Sequence, residues 1–349
     1  MEAKERTRSL ECGAGRWSVI LTCQSGFESL VEREAIDAGL AARERGAGWV
    51  RVEGAGPAVP EWCFAHVALL DAEEVAGQSV NALASAVAER FLASMRDERV
   101  TEPWPLVVAT AGEMDGLGRR AGAVESAVRE LLKRKVARVE RLATAAPARL
   151  GVSRGLFLYF ADFGRVFMAR MRWAGGQQRM ADDPSAPSRS YLKVEEAYGI
   201  LEREPAARET IVDLGAAPGG WSFSGARRGA RVIAVDNGPL KAGAANHPQI
   251  EHRREDAYRF RPAAGAQVDW LFCDMVDDPH EVLRAIIEPW VAQRWCRRFV
   301  INLKFGRADA LAVRDDVRRR LGPRCSRLVV RHLFHDREEL TLVGEIHQG

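Results

Sequence analysis

The sequence predicts an α/β protein in two parts: an α+β region, then a mostly parallel, doubly wound sheet that finishes on an antiparallel hairpin. Three observations carry this. At 349 residues the chain is longer than one hydrophobic core usually serves. Beyond residue 180, short β-branched runs alternate with helical stretches, the pattern of a parallel sheet covered on both faces. Before it, strands and helices follow one another with no repeating period.

In chain order, Trp17 to Cys23 alternates as a strand, Gln24-Ser25-Gly26 turns, and Phe27 to Ala38 is a helix. That helix sets Phe27, Leu30, Val31 and Ile36 against Glu28, Glu32, Arg33 and Asp37. Gly39 stops it, and Gly48 to Glu53 is the next strand. A helix over Val80 to Met95, a strand over Leu106 to Thr110, a helix over Gly122 to Ala143 and strands near Leu156 to Phe160 and Val166 to Arg172 follow. In the third helix Val124, Val128, Leu131, Leu132, Val136, Val139 and Leu142 share one arc, and Arg129, Lys133, Arg134, Arg138 and Arg141 the other. The cationic arc reads either as a solvated face or as a surface that tracks phosphates.

Periodicity stops between Arg172 and Arg189, where two glycines, two prolines and polar residues read as a linker, with the boundary near 180. Strands then fall at Ile211 to Leu214, Arg231 to Asp236, Val268 to Asp274 and Phe299 to Asn302. Helices fall at Gly219 to Arg228, Pro279 to Gln293 and Ala308 to Leu321. Arg327 to Leu333 and Leu340 to Ile346 form the closing antiparallel hairpin.

Composition narrows the class of protein. Lys plus Arg number 51 against 48 Asp plus Glu, a net charge of +3 that neither requires nor excludes a nucleic acid partner. Six cysteines, at 12, 23, 63, 273, 296 and 325, never reach CxxC spacing, so reduced thiols in a cytoplasmic protein are expected, with no zinc site or disulfide framework. No apolar run approaches the roughly 18 residues of a membrane span, and the polar start Met1 to Arg8 lacks a signal-peptide core. No membrane association is expected, and the start reads as a short frayed tail.

The chemistry centres on Asp213-Leu214-Gly215-Ala216-Ala217-Pro218-Gly219-Gly220-Trp221-Ser222, a small-residue turn between a strand and a helix. Its glycines allow a ligand to approach the main chain. Asp236, 23 positions after Asp213, ends the next strand, where a doubly wound fold presents a carboxylate to a bound ribose. The glycine offsets are not those of G-x-G-x-x-G, and Pro218 removes a main-chain donor of the kind that cradles pyrophosphate. S-adenosyl-L-methionine, a methyl donor without phosphate, therefore fits better than a nicotinamide dinucleotide.

That turn, with Val235-Asp236-Asn237-Gly238, Cys273-Asp274-Met275, Asn302-Leu303-Lys304 and His335-Asp336-Arg337-Glu338-Glu339, resembles the FtsJ-type ribose 2′-O-methyltransferases. Ala186-Pro187-Ser188-Arg189-Ser190-Tyr191-Leu192-Lys193-Val194-Glu195-Glu196-Ala197 narrows the resemblance to the RlmM group, bacterial enzymes that methylate a cytidine of 23S ribosomal RNA. The likeness covers about residues 180 to 349. It implies a Rossmann-like methyltransferase domain over 181–349, preceded by a ferredoxin-like domain over 1–80 and a THUMP-like RNA-binding domain over 81–180. The N-terminal half is similar only in length and in Ser25-Gly26-Phe27-Glu28.

The resemblance also implies a Lys, Asp, Lys, Glu tetrad, matched here by Lys193, Asp274, Lys304 and a glutamate at 338 or 339. Alternation sends those two glutamates to opposite sides, and the family pattern favours Glu339. Lys304 would take the 2′-hydroxyl proton, with its pKa lowered by the like charge of Lys193. Asp274 and the glutamate would orient the lysines. Ser190 and the turn at Gly215, Ala217, Pro218, Gly219 and Gly220 would lie near the methionine end of the cofactor, Asp236 at the ribose, Asp256 near the adenine or else in solvent, and Asp274 by the donor methyl. No metal is implied. His332 and His335 lie three apart at a strand end with no third ligand in sequence range. Ala217 stands where the group tends to carry Cys, and Phe305-Gly306 where Leu-Pro is typical. The resemblance implies transfer of a methyl group to RNA. The alternative is an RNA-binding or ribosome-assembly protein that keeps the fold without turnover; a nicotinamide oxidoreductase is disfavoured by Pro218.

Overall fold

The computed structural model describes residues 16–55, 61–112 and 114–347. The polar start and Cys12 lie outside them. The chain divides into two compact units, Met1–Gly175 and Gly176–Gly349.

The first unit is built on one nine-stranded sheet. Its strands are β1 (Arg16–Thr22), β2 (Ala41–Gly46), β3 (Trp49–Ala55), β4 (Val67–Leu70), β5 (Glu73–Ala76), β6 (Trp104–Thr110), β7 (Ala143–Thr144), β8 (Leu150–Phe160) and β9 (Arg165–Gly175). The order is β2-β3-β1-β4-β9-β8-β6-β7, with β5 also on β9, so pairing runs continuously across residue 80. Helix α1 (Glu28–Asp37) packs on β2 and β3. Helix α2 (Val80–Ser94) starts at Ser79, whose hydroxyl accepts the Ala82 N–H at 3.1 Å. Strands β6 and β8 are parallel and need a crossover, which α3 (Leu117–Glu140) supplies. Alternation along β8 sends Leu156, Leu158 and Phe160 into the core under α2 and α3, and Phe157 and Tyr159 into a second core with Ile20 and Trp49.

The apolar arc expected for α3 packs: Val124, Val128 and Leu132 are buried. The helix is broken at Val136 (φ −146°, ψ 56°), yet Leu131, Val136, Val139 and Leu142 still pack against the same core, partly buried. On the other arc Arg129 is paired with Glu125 at 3.0 Å and Glu140 at 3.6 Å, while Lys133, Arg134, Arg138 and Arg141 are exposed.

The second unit opens on the irregular segment expected as a linker, within which the two units divide. Gln178 donates its backbone N–H to Glu196 at 3.0 Å, and the Met180 N–H is donated to His335 at 2.8 Å, so the stretch is tied to its own unit. Helix α4 (Tyr191–Leu201) follows. The sheet comprises β10 (Thr210–Leu214), β11 (Arg231–Val235), β12 (Ile250–Arg253), β13 (Val268–Cys273), β14 (Cys296–Lys304), β15 (Cys325–Arg331) and β16 (Glu339–Ile346). Its order is β12-β11-β10-β13-β14-β16-β15; the first five strands are parallel and β16 is antiparallel to both neighbours. This is the mostly parallel sheet with an antiparallel closing hairpin that the sequence predicts.

Between these strands lie α5 (Gly220–Ala226), α6 (Ala242–Ala245), α7 (Pro279–Val282), a π-helical stretch Leu283–Ile287, α8 (Glu288–Ala292) and α9 (Ala310–Leu321). Asp309 begins α9 by accepting the Leu311 N–H at 3.0 Å. Val194, Ala197, Tyr198, Ile200 and Leu201 of α4 share a core with Trp221, Trp270, Phe272, Val300 and Val343. Each such aliphatic side chain contributes roughly 1.5–3 kcal/mol when fully buried, enough to hold the charged residues of α4 at the site beside it. The strand order reverses at β10, between β11 and β13, and a crevice outside the carboxyl ends of the strands opens at such a point.

Candidate active site

The reversal point brings the glycine turn, Asp274 and Lys304 together. The turn follows β10 and Asp274 follows β13 directly. Lys304 closes β14 and is the cross-strand partner of Glu339, which opens β16. Lys193 reaches the same place from the first turn of α4.

The four side chains form one ion-pair cluster. Lys304 Nζ donates to Asp274 and lies 3.5 Å from Glu339 Oε2. Lys193 Nζ pairs with Glu339 Oε1 and lies 4.0 Å from Asp274 Oδ1. Glu338 is exposed, so of the two candidate glutamates the fold turns Glu339 inward. Lys304 keeps 25% side-chain exposure, against 11% for Lys193, 16% for Asp274 and 7% for Glu339, and is therefore the member most open to a ligand. The chain after Lys304 is hooked back by the Phe305 N–H, which donates to the Glu338 carbonyl at 3.0 Å.

The electrostatics correct one expectation. Burial works to lower the pKa of Lys304, but Asp274 and Glu339 outweigh it and hold the ammonium above the ordinary lysine value. The like charge of Lys193 does not prevail, because Lys193 is itself paired with Glu339. Burial likewise pushes Glu339 upward, and the two lysines more than offset it, so its carboxyl titrates below the usual range. Two ammonium and two carboxylate groups leave the cluster electrically balanced.

Around the turn, Gly215 has φ +75° and Gly219 φ +107°. A Cβ at Gly215 would sit 2.6 Å from Met275 Cγ, and one at Gly219 2.5 Å from Ala244 Cβ, so neither position has room for a side chain. Asp236 pins the turn by accepting the Ala217 N–H at 3.0 Å and the Gly238 N–H at 2.7 Å. Pro218 continues the same turn, which leads through Gly219 into Gly220 at the start of α5. Ser190 precedes α4, and its hydroxyl, 2.7 Å from that of Ser188, faces Gly220. Asp256 is exposed, accepting the Tyr258 N–H at 2.9 Å within its own loop. His332 Nε2 meets the Arg337 carbonyl at 2.8 Å, and among the described residues no group of three His, Cys, Asp or Glu is placed to hold a metal ion.

Asp213 was not assigned from the sequence, although it opens the motif. It is buried; Oδ2 accepts the Ser222 hydroxyl at 2.6 Å, while Oδ1 is enclosed with no hydrogen-bond partner. Burial, with the charges of Asp274 and Asp236 nearby, pushes its carboxyl up to about 7. Three carboxylates thus converge on the turn.

A model of the FtsJ-like methyltransferase family matches residues 186–291, a span that holds Ser190, Lys193, the turn, Asp236 and Asp274 and stops before Lys304 and Glu339. Ribosomal RNA large subunit methyltransferase M of Chromohalobacter salexigens is 33% identical over 272 residues, covering 71% of this chain and 74% of that protein. The chain belongs to the ribosomal RNA large subunit methyltransferase M family. Proteins of the same name are 39% identical over 221 residues in Laribacter hongkongensis and 42% over 198 residues in Halorhodospira halophila. The matches take in 58% and 54% of this chain, and the chain spans about three fifths of the length of these two family members, 62% and 57%.

Proposed function

We propose that the chain transfers a methyl group from S-adenosyl-L-methionine to a ribose 2′-hydroxyl of RNA, with a cytidine of 23S ribosomal RNA as the target. The observation that carries this reading is the Lys193, Asp274, Lys304 and Glu339 cluster, set beside a glycine turn at the reversal point of the sheet. The names of its relatives, methyltransferases of the large-subunit ribosomal RNA, support the substrate. Such a substrate implies a cytoplasmic location.

The residues present suit the cofactor. It carries a sulfonium and an α-ammonium, and Asp213, Asp236 and Asp274 make the turn acidic, which favours a cation and opposes a pyrophosphate. The enclosed Asp213 Oδ1 supplies an acceptor that is costly to leave unpaired. Ser190, Gly215, Ala217, Pro218, Gly219 and Gly220 would line the methionine end, and Asp236 would meet the ribose. When bound, the cofactor supplies an activated methyl group and a neutral sulfur leaving group.

What remains for the chain is to place the 2′-oxygen and manage its proton. Lys304, the most open of the four, meets the hydroxyl and accepts the proton at Nζ. Its raised pKa makes the neutral amine scarce near pH 7, so the rate should climb with pH. Asp274 and Glu339 fix the direction of Nζ, and Lys193 keeps Glu339 ionised. Positioning supplies much of the acceleration, since the methyl donor is already activated.

Within the N-terminal part, we read residues 1–80 as a ferredoxin-like domain and 81–180 as a THUMP-like domain that binds the RNA. The exposed Lys133, Arg134, Arg138 and Arg141 on and just past α3 support a phosphate-contacting surface there. Incubating the protein and cofactor with unmethylated 23S ribosomal RNA, then digesting to nucleosides for mass spectrometry, tests the reading. The expected product is 2′-O-methylcytidine; a methyl group on a base, or none, would overturn it.

A further inference from the structure

Directly beneath the four charged side chains lies a second polar layer that the reaction as described does not use. Asn302, Asp336 and Thr341 are each buried to 1% exposure or less. Asn302 is two residues before Lys304 on β14, and Thr341 two after Glu339 on β16. The two are cross-strand partners, so their side chains share the face that carries Lys304 and Glu339.

The hydrogen bonds in this layer run one way. Asp336 accepts the Leu333 N–H at 2.9 Å and the Thr341 hydroxyl at 3.0 Å. Asn302 Nδ2 donates to Asp336 Oδ1 at 3.1 Å and to Thr341 Oγ1 at 3.1 Å. The remaining end of the carboxamide, Oδ1, faces Lys304 Nζ at 3.4 Å. Reversing the amide would set its NH2 against the Lys304 ammonium, so with Nδ2 donating to Asp336 and Thr341 the oxygen is the end that Lys304 meets.

Lys304 thereby has three acceptors around Nζ: Asp274, Glu339 and Asn302. An ammonium has three N–H donors, and the neutral amine has two and one lone pair. Acceptors on three sides fix the rotation of the ammonium about the Cε–Nζ bond, so the directions open to the lone pair are set before the proton leaves. The carboxylates alone leave rotation about the Cε–Nζ bond less constrained.

We propose that Asn302, oriented by Asp336 and Thr341, is a positioning residue that aims the Lys304 amine at the 2′-hydroxyl. This rests on the methyl-transfer reading above. The charged groups acting on Lys304 are Asp274 after β13 and Glu339 on β16, and Lys193 on α4 pairs with that same Glu339; those acting on Asp336 are Glu339, Lys193 and Glu196.

The test measures kcat, the KM for S-adenosylmethionine and the pH–rate profile with ribosomal RNA for wild type, Asn302→Leu and Thr341→Val. In Asn302→Leu the limiting kcat should fall at least tenfold and the KM for the cofactor stay within threefold. Its rising limb should move to lower pH, because the ammonium has lost an acceptor. A purely structural role would lower the melting temperature and leave the limb in place. Should Asn302→Leu not fold, Thr341→Val, which keeps the volume, decides: a fall of about threefold or more with the limb displaced the same way supports the proposal. Wild-type kcat and an unmoved limb in the folded variants overturn it. A wild type that transfers no methyl group would instead sink the methyl-transfer reading.

Discussion

Lys304 and Asp213 show how burial and neighbouring charge set the behaviour of single groups here. Because Asp274 and Glu339 hold Lys304 protonated, kcat should rise with pH throughout pH 7 to 9 with no plateau below the ordinary lysine value of 10.5. Lys304→Ala should lower it by about 10²-fold or more, read in single-turnover assays. Asp213 titrates near 7 in place of 3.8, so the folded protein binds its proton more tightly than the unfolded chain does. Its contribution to stability is fully present below about pH 4 and is lost as pH rises through 7. Without cofactor, Asp213→Asn should therefore melt higher than wild type at pH 8 and almost alike at pH 4, by differential scanning fluorimetry. The same variant should bind S-adenosylmethionine at least tenfold more weakly by calorimetry at pH 8, since the carboxylate charge that favours a cation is gone. Unchanged affinity would remove Asp213 from the cofactor site.

The elements that sequence periodicity found best are the central strands, such as β10 and β13, short runs rich in apolar residues that are mostly buried. Strand β2, with the sequence AARERG, was missed because it is mostly exposed and exists by pairing with β3, a contact remote from any local pattern. Helix α3 was legible as an amphipathic helix, yet its break at Val136 was not, since Val is an acceptable helix residue and nothing local marks the distortion. The tetrad could be named residue by residue, but the layer beneath it could not: Asn302 and Thr341 read as polar interruptions in apolar strands until the register sets them opposite each other. A test at this scale is charge reversal of Arg134, Arg138 and Arg141 to Glu. RNA affinity should fall at least tenfold and the slope of log affinity against log salt shrink by about 2 to 3, with cofactor affinity unchanged. An unaltered salt slope would return this face to plain solvation.

Across the molecule, two units each carry their own sheet, and the Lys193, Asp274, Lys304 and Glu339 cluster lies in the second. The alternation of strands and helices was enough to foresee its parallel sheet and closing hairpin. The antiparallel insertion of β16 between β14 and β15 is what brings Glu339 beside Lys304, and that pairing order comes from the fold as a whole. No helix among the described residues is long and apolar enough to cross a membrane. The central claim is ribose methylation by this cluster, and one measurement reaches it directly. The protein is given S-adenosylmethionine labelled in its methyl group and unmethylated 23S ribosomal RNA, and the product is hydrolysed in alkali. A 2′-O-methyl group blocks cleavage of its own phosphodiester, so the label should appear in an alkali-resistant dinucleotide with wild type and at equal times be lower by about 10²-fold or more with Lys304→Ala. Label released as a mononucleotide, or transferred equally by Lys304→Ala, would contradict the account.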